Sequence, residues 1–416
     1  MAILKLYYLL PIFLITGPFL SDLLVSLTSI FFIFYFLKYE KEYIFNKFSI
    51  YFFSFYFFLL VVSLFSVDKY ITFKSTLPYF RFFLFSLIVW FCFDKKILKL
   101  KYFYLITFII IWIFFFDSSY QFINGKNFLG QISPLKYRIT SFFGDEAIMG
   151  SFVLKIYILF AFINLLIKIK HQKKIFITTT IFSIVIIIIS GDRTPFFLML
   201  IYFIILSLTS KNNKFYVIGI LLFTIISFGL ISKNEILKNR ILLMTYSGFF
   251  TTLEKFDTSV IDKKIDVDIE NKKKLKHFIS DDHHSHFIAA KSIFFNNLIL
   301  GSGPNTYRVE CLKEKYNIKD NTCTTHPHNF YIQIASETGI LGLLIISFLF
   351  CYSIFKIFKH RNEDFRLAYI YIYVFLILFP LSPNGNFFNN WLSIMNYLPL
   401  GFFLYYFNNR NYFTSK

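Results

Sequence analysis

Apolar runs of bilayer-crossing length recur through this chain, and most are separated by short loops rich in lysine. That pattern constrains the fold more than any single motif. A helix satisfies its own backbone hydrogen bonds and needs about twenty apolar residues to cross the hydrocarbon of a membrane. Runs near 6–18, 21–37, 48–65, 75–93, 102–116, 147–167, 174–190, 194–209, 214–232, 329–357, 366–381 and 388–407 read as such helices. The expected fold class is an all-α polytopic membrane protein with about 12 transmembrane helices. A hydrophobic content of 56% and a mean hydropathy of +0.59 agree with that class. The alternating ten-residue segments of a membrane β-barrel are absent. The run 329–357 is long enough for a half-buried lead-in followed by a span. The first run has no small-residue cleavage site after it, so no cleavable signal peptide is expected.

The net charge of +19 would suggest nucleic acid in a soluble protein. Here most of the lysines and arginines sit in short loops, where they set topology and meet anionic lipid headgroups, so membrane lipids and no nucleic acid are the expected contacts. The loops KYEKEYIFNK (38–47), DKKILKLK (94–101), KIKHQKK (168–174), SKNNK (210–214) and KIFKHRNEDFR (356–366) alternate so as to share one side. They are assigned to the cytoplasm together with both termini. The segments 66–74, 117–146, 191–193, 233–328 and 382–387 then lie outside. Three regions follow: transmembrane helices over 1–232, a large extracytoplasmic loop over 233–328, and C-terminal helices over 329–416.

Within the large loop, DKKIDVDIENKKKLKHFISDD reads as a charged, flexible stretch. Phe287, Ala290, Ile293 and Phe294 fall at helical spacing in 285–300, which predicts an amphipathic helix lying on the membrane surface. Cys92 and Cys351 fall in apolar runs as packing residues. Cys311 and Cys323 fall in the outer loop, where an oxidising compartment permits but does not require a disulfide.

The residues suited to chemistry gather on the outer side. Six of the eight histidines lie between 277 and 328. DDHHSH (281–286) reads either as a metal tract or as a solvated tip before a helix, and no HExxH or CxxC spacing supports a metal site. His326 and His328 flank Pro327 immediately before a membrane-returning helix. That placement suits proton transfer, or alternatively capping and hydrogen bonding, with Asn329 as the cap of the next helix. Lysine is the default cation in this chain, so its eight arginines carry information. Arg138, Arg193, Arg240 and Arg308 share the outer side, and guanidinium binds phosphate bidentately. A phosphate or diphosphate ligand is expected there. No P-loop, dinucleotide fingerprint or nucleophile elbow is present, so the substrate must arrive already activated. The spans read as nearly free of charge, with Arg81 the main exception, which favours an enzyme over a transporter.

GSGPNTYR, HPHNFYIQIASETGILGLL, YRITSFFGDEAIMGS and SGDRTPF resemble segments of the O-antigen ligase and O-antigen polymerase family of bacterial membrane glycosyltransferases. The resemblance implies transfer of a glycan from an undecaprenyl-diphosphate carrier to an acceptor sugar at the periplasmic face of the inner membrane. It further implies inversion at the anomeric carbon without metal or other cofactor. The acceptor is lipid A–core for a ligase and a carrier-linked repeat unit for a polymerase, and the motif does not separate the two. On this resemblance His328 is the general base, with His326 as the second choice. Arg138 and Arg193 hold the diphosphate, with Arg240 as a further candidate. His283, His284 and His286 receive no role from it. A lipid-linked glycan transporter is the alternative from another class.

Overall fold

The computed structural model describes residues 2–135, 138–210, 213–243, 245, 281–316 and 323–414. Most of the stretch expected to be flexible lies outside the described residues. Each of the twelve apolar runs is helical. They are α1 (Leu10–Ile15, continuing a 3-10 turn), α2 (Pro18–Tyr39), α3 (Lys47–Leu64), α4 (Phe80–Asp94), α5 (Leu100–Asn124), α6 (Met149–Asn164), α7 (Gln172–Ile189), α8 (Arg193–Thr209), α9 (Asn213–Lys233), then α10 (Phe330–His360), α11 (Phe365–Ile377) and α12 (Asn390–Asn408). Among the described residues there is no β-strand, only an isolated bridge between Lys126 and Ile132.

Among the described residues, seven helices are long and apolar enough to cross a membrane: α2, α3, the continuous segment Lys69–Asp94, α5, α7, α9 and α10. Four other apolar helices are shorter. Helix α6, for example, rises about 24 Å over its 16 residues, short of a hydrocarbon core about 30 Å thick. Its position explains how a short helix is accommodated. Nearly every residue of α4 and α6 is buried, so these two form the interior of the bundle. The outer helices are apolar on the far side as well. Phe31, Phe34, Tyr51, Phe228 and Phe348 are each more than 60% exposed, which suits lipid rather than water.

Contacts between loops fall into two groups that match the charge alternation. At one end Lys95 pairs with Glu40 and Tyr43 bonds Asp94. There too Arg410 reaches Asp364, and Arg366 reaches the Leu165 carbonyl. At the other end Val67 N donates to Ser302 O, Ile139 N to Ser190 O, and Asn384 N to His328 O. The basic loops therefore share one end, and the segments rich in candidate site residues share the other.

Two expectations need amendment. The helix expected over 285–300 spans Asp281–Asn296, and its apolar face is not turned to lipid. Ala289, Ala290 and Ile293 are fully buried against Tyr307, Cys311 and Tyr316, forming a small core of their own. Periodicity identifies an apolar face without saying what covers it. The spans are also less free of charge than they read. Asp22 in α2 takes two hydrogen bonds from Arg81 and one from Asn390, and Lys155 lies within α6.

Helix α10 divides as its length suggested. Asn329 caps it, its side-chain oxygen accepting from the Tyr331 and Ile332 amides. The helix then breaks at Gly339, at φ +69° and ψ −164°. There the chain crosses the 298–303 turn backbone to backbone. Ser302 N donates to Ser336 O, Gly303 N to Glu337 O, and Ile340 N to Leu298 O, all within 2.8–2.9 Å. A Cβ on Gly339 would lie 2.2 Å from Ile299 O, and one on Gly301 would lie 2.3 Å from the Glu337 carbonyl carbon. Both glycines also have positive φ, which costs an L-residue about 1–2 kcal/mol before any clash. Gly339→Ala is therefore expected to lower the melting temperature of the detergent-purified protein by several degrees or to abolish its recovery. Gly229→Ala, where nothing lies within 4 Å, should leave it unchanged or raised.

Candidate active site

The crossing places a fully buried carboxylate, Glu337, under the GSGPN turn. Its Oε1 accepts from Tyr307 N at 3.0 Å, and its Oε2 accepts from Asn305 N at 2.9 Å and Gln333 Nε2 at 3.1 Å. Such a carboxylate is tolerated because backbone and amide donors replace its water. Gln333 extends the network, donating to Asn386 Oδ1 and accepting from Phe387 N. Asn386 in turn donates to Asn305 Oδ1, the same oxygen that accepts from Arg308 Nη2 at 2.8 Å. Arg308 is thus held by a chain of hydrogen bonds that begins inside α10. Glu337 stood beside the histidine motif in the sequence, but its partners at 305–307 and, through Gln333, at 386 become neighbours only through the crossing.

The histidine motif lies on the same face. The rings of His326 and His328 are 4.2 Å apart, and the ring of His286 is 5.6 Å from that of His328. His326 Nε2 lies 3.2 Å from the Asn384 carbonyl, and its Nδ1 lies 2.9 Å from Thr325 Oγ. A carbonyl only accepts, so Nε2 carries the proton and, in the neutral ring, Nδ1 is the basic nitrogen. His328 adopts φ +57°. A disulfide between Cys311 and Cys323, with Cα atoms 5.2 Å apart, ties the motif to the small core. Sequence reasoning missed His286, which is separated from the motif by forty residues of chain and joined to it only by packing.

Arg138, Arg193 and Arg240 also converge. Arg138 Nη2 pairs with Asp192 Oδ1 at 3.1 Å, and Gly150 N donates to Asp192 Oδ2. Arg240 lies close enough for its charge to act on Asp192. The charges of Arg138 and Arg193 likewise act on each other. Two guanidinium groups, Arg138 and Arg240, thus act on one carboxylate, with Arg193 adjacent in the chain and within reach of the charge of Arg138. Burial pushes the Asp192 carboxyl up to about 6, against the opposing pull of Arg138, the Gly150 amide and Arg240. Asp192 had no part in the sequence reading, yet it is the residue that gathers the arginines.

Between these groups lies a cavity of about 750 Å³. Its wall includes His326, Arg308, Asn305 and Asn384 from the loop segments, and Leu154, Ile158 and Leu376 from the helices. His328 and the three arginines are not in its wall. The His328 ring packs on that of the wall residue His326, and Arg193 adjoins the wall residue Thr194 in the chain. Among the described residues, no group of three or more histidine, cysteine or acidic side chains is placed to hold a metal ion.

Residues 178–347 match the family model described as O-Antigen ligase. The match includes Arg193, Arg240, Arg308, the HPHN motif and Glu337, whereas Arg138 precedes it. Over that segment this helical protein, with its candidate membrane spans, is similar to the O-antigen ligase family. No curated protein matches the chain.

The raised Asp192 value has a definite sign. The folded state holds this proton to a higher pH than the unfolded state, so Asp192 contributes stability below about pH 4 that is lost as pH rises through about 6. The melting temperature of wild type relative to Asp192→Asn is expected to fall between pH 4 and pH 7 and then to level off. A difference independent of pH would contradict the assignment.

Proposed function

We propose that this protein moves a glycan from an undecaprenyl-diphosphate carrier to an acceptor sugar of lipid A–core, at the periplasmic face of the bacterial inner membrane. The observation that carries the reading is the cavity. Its wall combines polar residues of the loops, His326, Arg308 and Asn305 among them, with apolar residues of the helices, which suits a substrate that is half glycan and half lipid.

In this mechanism the acceptor hydroxyl enters beside the polar wall residues and attacks the anomeric carbon from the face opposite the diphosphate. The new C–O bond forms as the bond to the diphosphate oxygen breaks, inverting the configuration. The hydroxyl proton passes to the histidine pair. His328 is the base inferred from the motif, and His326 is the ring that reaches the cavity wall. The departing diphosphate needs neutralisation of charge more than a proton. Arg138, Arg193 and Arg240 supply that charge beside the wall at Thr194, so no metal is required for the step. Asp192 orients Arg138 and keeps the cluster from repelling itself apart.

Purified protein with undecaprenyl-diphosphate glycan and lipid A–core, in the presence of a chelator, is expected to form the joined product. His326→Ala and His328→Ala would show which ring takes the proton, and the loss there should be about 100-fold or more. Arg193→Lys should lose a comparable factor despite keeping its charge, because the bidentate fork is gone. Chain growth only when carrier-linked units replace lipid A–core would move the protein to the polymerase reading. Full activity in all three variants would overturn the site.

A further inference from the structure

Lys155 stands out because it is a cation within an apolar, buried helix. Six residues past the first residue of α6, it lies about 9 Å inward along the axis. The cavity wall it belongs to also includes Leu154, Ile158, Leu198, Leu376 and Ile377, together with Ser151, Thr194 and Tyr373. Its ammonium donates to Asn396 Oδ1 at 2.9 Å. No carboxylate among the described residues forms an ion pair with it, and Glu146, the one acidic residue of the wall, is not within reach of such a pair. A buried ammonium with a neutral partner is costly, and an ionisable group at such depth is kept where it serves a ligand. Lys155 is also joined to the arginine cluster through its own helix. Gly150, at the start of α6, donates to Asp192, and Ser151 lines the cavity between them.

We propose that Lys155 is an anion-binding residue in the cavity wall, where it takes a phosphate oxygen of the polyprenyl carrier. The proposal rests on the lipid-linked donor described above. An acidic sugar is the less suitable partner, because Lys155 lies on a mostly apolar helix, next to Leu154 and one turn from Ile158 in the same wall, which suits the lipid end of the substrate. Lys155 then contacts the diphosphate from the cavity wall, while the arginine cluster, which does not line that wall, adds its charge from farther off. Asn396 holds the ammonium in place while the cavity is empty.

The test uses the full-length protein in nanodiscs with two sugar-free probes, undecaprenyl diphosphate and undecaprenol. Wild type is expected to prefer the diphosphate. Lys155→Met should weaken diphosphate binding about tenfold or more, as loss of a charged hydrogen bond does, and should leave undecaprenol binding unchanged. Lys155→Arg should retain most of the affinity. Lys155→Gln keeps a donor for Asn396 and replaces Lys155→Met if the latter fails to fold; the same loss is expected. If Arg193→Ala weakens diphosphate binding and the Lys155 variants do not, the proposal is overturned while the donor reading stands. If wild type binds diphosphate no better than undecaprenol, both fall.

Discussion

The contact on which the site depends is the crossing of two backbones at Gly301 and Gly339. Ordinary side chains cannot occupy either position, because each Cβ would run into the peptide of the opposite segment. With glycine at both, the broken helix and the turn exchange three hydrogen bonds, and the peptide groups freed by the kink regain partners. Glu337 lies about two turns below the helix start at Phe330 and reaches the amides of Asn305 and Tyr307 from there. Gln333, one turn earlier, reaches Asn386. Three segments far apart in sequence are thereby fixed at the cavity wall.

Charge is divided between the two ends with opposite consequences. At the basic end, lysines and arginines meet acidic residues or backbone carbonyls. Glu40, Asp94 and Asp364 each serve a loop contact there. At the other end Arg138 and Arg240 act on Asp192, and Lys155 has an amide. Cations gathered with few carboxylates are what the proposed diphosphate-linked donor would need at this end.

Much of this arrangement was legible from the chain alone, because local features carry local information. The apolar runs located the helices, and the basic loops sorted their ends. Asn329 announced the start of α10, and the arginine of SGDRTPF had too little loop around it to be idle. The misses share one cause. His286, Asp192 and Asn386 matter through partners about forty or more residues away, and no spacing rule connects them. Lys155 was lost inside an apolar run, since periodicity cannot tell a lipid face from a cavity face when both are apolar. The helix at 281–296 shows the same limit. Its apolar face was correctly read, but Tyr307 and Tyr316 cover it, where lipid had been expected.

The central claim is that the carrier-linked glycan reacts in this cavity, and a photoactivatable donor tests it most directly. A diazirine on the sugar next to the diphosphate would be crosslinked to the membrane-reconstituted protein and the labelled peptides mapped. The account predicts labels on the cavity wall, in 142–158 and around Arg308 and His326, and their loss in competition with unlabelled donor. Labels confined to the outward faces of α2 and α9, unaffected by competitor, would contradict it.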